Sequence, residues 1–180
     1  MGHVAKHKGI ATVRHEDLAE SFAPVANRDA RVLILGSIPG RESLKAGQYY
    51  ANPRNQFWKI MSALLGFAPD TPYANRLLAL QSSGIALWDV LHSCERPGSL
   101  DASIKRESET PNNFALFFQQ HPNIRAVFFN GAKAQSSYTK LVKSKVQCEA
   151  ILECLPSTSP AHASKSLAQK LEVWKVVLAR

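Results

Sequence analysis

The chain has 180 residues, enough for one domain whose core buries roughly two thirds of the unfolded surface. Its 22 Lys and Arg against 14 Asp and Glu leave a net charge of +8, which points to an anionic partner such as nucleic acid. Cys94, Cys148 and Cys154 are odd in number and form no CxxC pair, which argues against a disulfide framework, a zinc site or an iron–sulfur site, and no apolar run reaches the roughly 18 residues of a membrane crossing. The start, MGHVAKHKGIATVRHED, lacks an apolar signal core, so the expectation is a cytoplasmic protein with reduced thiols. Residues 1–14 mix His, Lys, Gly and Ala without periodicity and read as a flexible basic tail; residues 15–180 read as a single domain.

After the proline-punctuated lead-in FAPVANRDA, RVLILG (31–36) is a continuous apolar run ending at glycine, which suits a strand buried on both faces. Three similar runs follow: GIALWDVL (84–91), IRAVFFNG (124–131) and EAILECL (149–155). Helical spacing fills the intervals. QFWKIMSALLGF puts Phe57, Trp58, Met61, Leu64 and Leu65 on one face; ANRLLALQSSG ends at a glycine suited to a C-cap; NNFALFFQQHP and AKAQSSYTKLVKS are amphipathic. The stretch 163–180 closes the chain as a helix with Leu167, Leu171, Trp174 and Leu178 on its apolar face.

Strands alternating with helices predict an α/β three-layer sandwich, a short four-stranded parallel sheet covered by helices on both faces. Sites in such sheets lie at the carboxyl ends of the strands. The loops after Gly36, Asp89, Asn130 and Leu155 therefore converge on one rim. Gly36, Ser37, Pro39 and Gly40 make a tight turn that exposes backbone to a ligand, yet neither GxGxxG nor GxxxxGK[ST] is present, so dinucleotide and P-loop readings fail. LPSTSPAHA (155–163) brackets three hydroxyls between prolines, and its hydroxyls and amides suit phosphate oxygens; an ordinary serine N-cap would look the same.

The constellation GSIPG, YYANPRNQFW and LPSTSPAHA, together with LWDVLHSCERPGSLDASI and FFNGAKA, resembles the uracil-DNA glycosylase superfamily, and within it the deoxyinosine (hypoxanthine) DNA glycosylase branch. The resemblance runs from about Phe22 to the C-terminus. It implies the same parallel-sheet fold and a monomeric enzyme that needs no metal or cofactor. Such an enzyme flips a damaged base out of duplex DNA and cleaves the base–sugar bond with water.

Two positions depart from the superfamily pattern. Ile38 stands where most branches carry an Asp or Asn that handles the water, and Leu155 stands where several carry a His that stabilises the leaving base. The resemblance therefore shifts catalysis to NPRN, with Asn55 as the expected water-positioning amide and Asn52 as the alternative or a turn former before Pro53. Gly36, Ser37, Ile38, Pro39, Tyr50 and Asn130 are expected to form the base pocket, Tyr50 as a stacking wall and Asn130 as a reader of the base edge. Arg54, Pro156, Ser157, Thr158 and Ser159 are expected at the DNA backbone, and His162 at a helix start. Asp89 and Asp101 rank behind Asn55 as bases, since they also read as a strand end and a helix N-cap.

These residues point to a monofunctional glycosylase removing hypoxanthine first, with uracil or xanthine as further substrates. No lysine has a recognisable Schiff-base setting, so lyase chemistry is not expected. Two competing readings are a hydrolase of free nucleosides or nucleotides, and a noncatalytic damaged-DNA binder consistent with Ile38 and Leu155.

Overall fold

The computed structural model describes residues 17–179; the tail expected over residues 1–14 lies outside the described residues. In chain order come β1 (Leu18–Glu20), β2 (Val32–Gly36), α1 (Arg41–Ala46), α2 (Phe57–Leu65), α3 (Tyr73–Ser82), β3 (Ile85–Asp89) and β4 (Leu91–Glu95). They are followed by β5 (Thr110–Pro111), α4 (Phe114–Gln120), β6 (Ala126–Asn130), α5 (Ala132–Leu141), β7 (Ile151–Leu155) and α6 (Leu167–Trp174).

Four of the strands form a parallel sheet in the order β3-β2-β6-β7. Successive strand side chains point to opposite faces, so a strand covered on both sides must be apolar throughout. In β2 all five residues are buried: Leu33 and Leu35 enter one core cluster with Phe114, Phe117 and Tyr138 of α4 and α5, while Val32 and Ile34 enter another. The second cluster collects Phe57, Ile60 and Met61 of α2, Leu80 of α3 and Trp174 of α6. The expected three-layer α/β arrangement is therefore present.

The structure corrects five expectations. The run 84–91 is not one strand: β3 stops at Asp89, the chain turns at Val90, and β4 joins an antiparallel sheet of order β1-β4-β5. Apolarity persists across that corner because Val90 and Leu91 are themselves fully buried. Of the run 149–155 only Ile151–Leu155 is strand, and it is an edge strand with Ile151 and Cys154 exposed. At the other edge, Val25 exchanges backbone hydrogen bonds with Leu87 at 2.8 and 2.9 Å, covering the free side of β3.

The last helix starts at Leu167, where Ser166 closes a capping box with Gln169, rather than at residue 163. Beyond Trp174 the chain tightens into a 3-10 turn over Lys175–Leu178, which rotates Val177 inward and leaves Leu178 48% exposed. His162, expected at the helix start, lies upstream of that cap, and its carbonyl accepts from the buried Lys170 Nζ at 2.8 Å. Finally, α1 occupies what had read as a loop. Its C-cap, Gly47, has φ +61°, a left-handed conformation that glycine adopts without the Cβ penalty.

Candidate active site

Sheet register pairs Gly36 with Asp89 and Asn130 with Leu155, which brings the four strand ends to one rim. The loops leaving that rim enclose a cavity of about 710 Å³, within the usual range for small-molecule sites. All six expected base-pocket residues line it, as do Asn52, Arg54, Asn55, Ser157 and Ser159. Among the described residues, no cluster of three or more His, Cys, Asp or Glu is placed to hold a metal.

The turn after β2 is held from below. Ser37 Oγ donates to Asp101 Oδ1 at 2.8 Å, and Arg96 Nη2 donates to the Pro39 carbonyl at 2.6 Å. Gly36 must be glycine, because a Cβ there would lie 2.4 Å from Asp89 Oδ1 and 3.0 Å from Tyr50 Oη. Ile38 contributes aliphatic wall and is 6% exposed, packed into one core cluster.

Tyr49 and Tyr50 have separate tasks. Tyr49 is buried: its hydroxyl donates to the Ala23 carbonyl at 3.2 Å, and its own carbonyl accepts from Trp58 Nε1 at 2.8 Å. Tyr50 has φ +54°, the one positive φ outside glycine among the described residues. Such a conformation costs a tyrosine on the order of 1 kcal/mol or more and persists only where its surroundings impose it. The imposing contact is a stack on Phe57, with ring centroids 4.0 Å apart and planes at 23°. One ring face is thereby covered by Phe57, and the residue lines the cavity with its hydroxyl buried and unpartnered.

NPRN forms a turn that leads into α2. Asn52 Oδ1 accepts from Arg54 N at 2.9 Å and its carbonyl from Asn55 N at 2.8 Å, so its amide oxygen shapes the turn. Asn55 Oδ1 accepts from Phe57 N at 3.0 Å, satisfying one of the free N–H groups at the start of α2. An amide oxygen has a second lone pair, and the amide nitrogen two further donors, so Asn55 retains capacity for a ligand. Arg54 is exposed at the cavity mouth.

Loop 155–163 differs most from expectation. Thr158 had been expected at DNA phosphates, but it is 0% exposed: its N–H donates to Asn130 Oδ1 and its hydroxyl accepts from Asn130 Nδ2, both at 2.8 Å. Asn130, expected to read a base edge, thus uses both ends of its amide to hold this loop. Pro156 does not line the cavity; its carbonyl accepts from Trp174 Nε1 at 3.0 Å. Ser157 and Ser159 remain half-buried at the rim. Gly131 has φ +99° and leaves 2.8 Å between a notional Cβ and Ser157 Cβ, so the Asn-Gly pair brings the strand end directly against the loop. Replacing Asn130 with alanine strands the buried Thr158 N–H; the expected loss is about 1–3 kcal/mol of unfolding free energy, checked by urea denaturation.

Three ionisable residues complete the lining of the pocket, Asp89, Asp101 and Arg96, and the two carboxyls rank behind Asn55 in the sequence. Asp101 does not cap a helix; Leu100 is the N-cap, and the Asp101 carboxyl accepts from Ser37. Asp89 is 3% exposed, lines the cavity, and its Oδ2 has no hydrogen-bond partner. Burial pushes the Asp89 carboxyl up to about 8, with Asp101 adding to the rise and Arg96 opposing it. Burial likewise raises Asp101, against the Ser37 hydrogen bond and Arg96. Arg96, 2% exposed, was not singled out from the sequence; the signal available was its place in SCERPGSLD, within the quoted match.

The model of the Uracil DNA glycosylase superfamily matches residues 23–178, nearly all of the described chain. The chain belongs to that superfamily. It is 39% identical over 116 residues to the hypoxanthine DNA glycosylase of Methanosarcina barkeri, covering 64% of this chain and 72% of that one. To the hypoxanthine DNA glycosylase of Methanosarcina acetivorans it is 34% identical over 161 residues, or 89% and 98% of the two chains. The solution NMR structure of a Methanosarcina acetivorans protein, assigned provisionally as a uracil DNA glycosylase, superposes with a TM-score of 0.73 at 32% identity, over 89% of this chain and 98% of that one. As a superfamily member the chain is a DNA glycosylase for deaminated bases.

Proposed function

We propose that hypoxanthine in DNA is the principal base this glycosylase excises, with uracil or xanthine as secondary substrates. The observation that carries this is Tyr50, an aromatic wall held in a strained conformation in the lining of a cavity of about 710 Å³. A flipped purine needs such a flat apolar face on which to stack. The two Methanosarcina relatives at 34% and 39% identity favour hypoxanthine over other deaminated bases.

In this mechanism Asn55 holds the attacking water while positive charge develops on the sugar. Asn52 keeps the turn that aims it. Arg54, Ser157 and Ser159 contact the DNA backbone, while Thr158 and Pro156 act from behind as the supports of that loop. The enzyme works as a monomer in the cytoplasm, where Cys94, Cys148 and Cys154 stay free thiols. Because the net charge is +8, binding weakens with salt, log K falling by about 0.9 per neutralised phosphate for each tenfold rise.

The test incubates the protein with duplexes carrying one hypoxanthine, xanthine or uracil, then cleaves abasic sites with alkali. Hypoxanthine duplexes are expected to be cut fastest. Asn55→Ala is expected to lower that rate by about 100-fold or more, the scale of a misplaced reactant, while Asn52→Ala loses less. Tight lesion binding without cleavage would establish the damage binder instead, and turnover of free deoxyinosine without DNA cleavage the nucleoside hydrolase.

A further inference from the structure

We propose that Asp89 is a catalytic acid of this site, the residue that protonates the departing purine. The proposal rests on the glycosylase reading above and adds to it a group that the water-positioning amide cannot supply. Hydrolysis needs help at both ends of the breaking bond, and Leu155, the aliphatic end of β7 on the rim, can supply no proton. An alternative donor must come from elsewhere on the rim.

Asp89 meets the geometric requirements. It ends β3 beside Gly36 in register, lines the cavity at 3% exposure, and presents Oδ2 without a partner. A buried carboxyl oxygen with no partner costs stability, and its persistence suits a group whose partner is a ligand. Gly36 is what lets the carboxyl approach the ligand-facing turn, since any Cβ there would stand 2.4 Å from Oδ1.

Four ionisable groups face Asp89, and burial sets its protonation more than any of them. Tyr49 and Tyr50 face it from the segment before α2, Asp101 from the 3-10 turn after β4, and Arg96 from the end of β4. Burial and the Asp101 charge raise the carboxyl to about 8 while Arg96 draws it back, so the acid form prevails at neutral pH. A general acid works best with such a value near the working pH.

In the proposed step the C1′–N9 bond breaks and its electron pair passes to the purine. The Asp89 proton goes to purine N7, the most basic ring nitrogen left on the base. The water oxygen bonds to C1′ and releases one proton to solvent, and the Asp89 carboxylate is then reprotonated from solvent.

The experiment measures single-turnover excision of hypoxanthine from duplex DNA between pH 6 and 9.5, with the protein saturating. The wild-type rate is expected to be level below about pH 7 and to fall tenfold per unit above about 8. Asp89→Asn is expected to be about 100-fold slower and level across the same range. Asp101→Asn should move the alkaline fall to lower pH, and Arg96→Met to higher pH, because these two charges set the Asp89 value in opposite directions.

A thermodynamic readout does not depend on activity. An acid raised in the folded state holds its proton while the unfolded chain has lost it, so wild-type stability is expected to decline from about pH 4 to about pH 8. Asp89→Asn should remove that contribution to the decline. A wild-type rate level through pH 9.5, or an Asp89→Asn protein that keeps the alkaline fall, overturns the proposal while leaving the glycosylase reading intact. Failure of the wild-type protein to release any base at any pH defeats that reading first.

Discussion

Replacing Trp174 with alanine is expected to lower the unfolding free energy by about 3–5 kcal/mol, the scale for deleting a large aromatic from a core. Trp174 is 0% exposed and ranks first by volume among the fully buried side chains. Its ring meets Phe57 edge-on at 6.1 Å, and Phe57 in turn carries the Tyr50 stack at 4.0 Å. Its indole nitrogen also fixes the Pro156 carbonyl at 3.0 Å. The alanine variant therefore loosens two walls of the site at once. Trp174→Phe keeps most of the ring and loses the donor, so its expected cost is smaller, about 1–3 kcal/mol for the stranded carbonyl. Urea denaturation of both variants checks the order; equal stabilities would show that the indole hydrogen bond carries the whole effect.

Gly36→Ala is expected to lower excision by about 100-fold or more, the scale of a misplaced catalytic group, and stability by about 1–3 kcal/mol, the scale of overpacking. The added methyl meets Asp89 Oδ1 at 2.4 Å and Tyr50 Oη at 3.0 Å. Neither oxygen retreats freely: Asp89 is held on β3 in register with Gly36, and Tyr50 is clamped on Phe57. Relief has to come from turning the carboxyl or spreading β2 from β3, and both displace groups of the site. Gly40→Ala, in the same turn, is the comparison for stability, since no protein atom lies within 4 Å of a Cβ there. Single-turnover rates for the two variants, with thermal unfolding alongside, separate the loss of geometry from the loss of fold.

Three of the four parallel strands were legible because burial on both faces leaves apolar residues along Val32–Gly36, Ile85–Asp89 and Ala126–Asn130, with the polar Asp89 and Asn130 only at their carboxyl ends. Their carboxyl ends define the rim. The second sheet was not legible: β1 and β5 have three and two residues, too few for an alternation to register, and β4 hides its start inside the apolar run that ends β3. Within the site, residue types announced the pocket lining but not their partners. Asn130 and Thr158 meet across 28 positions, and only the fold shows that the threonine faces inward. Asp89 read as a strand end because its burial comes from Gly36 and Tyr50, which lie in a different stretch of the chain. Arg96 is one of 22 Lys and Arg in the sequence, and only the fold shows it at 2% exposure against the Pro39 carbonyl.

The most direct measurement is mass spectrometry of both products after incubation with a duplex containing a single hypoxanthine. The account predicts free hypoxanthine in solution and a DNA strand lighter by that base and heavier by one water, with its backbone uncut. An unchanged strand that stays bound to the protein, or release of deoxyinosine in place of the free base, would contradict it.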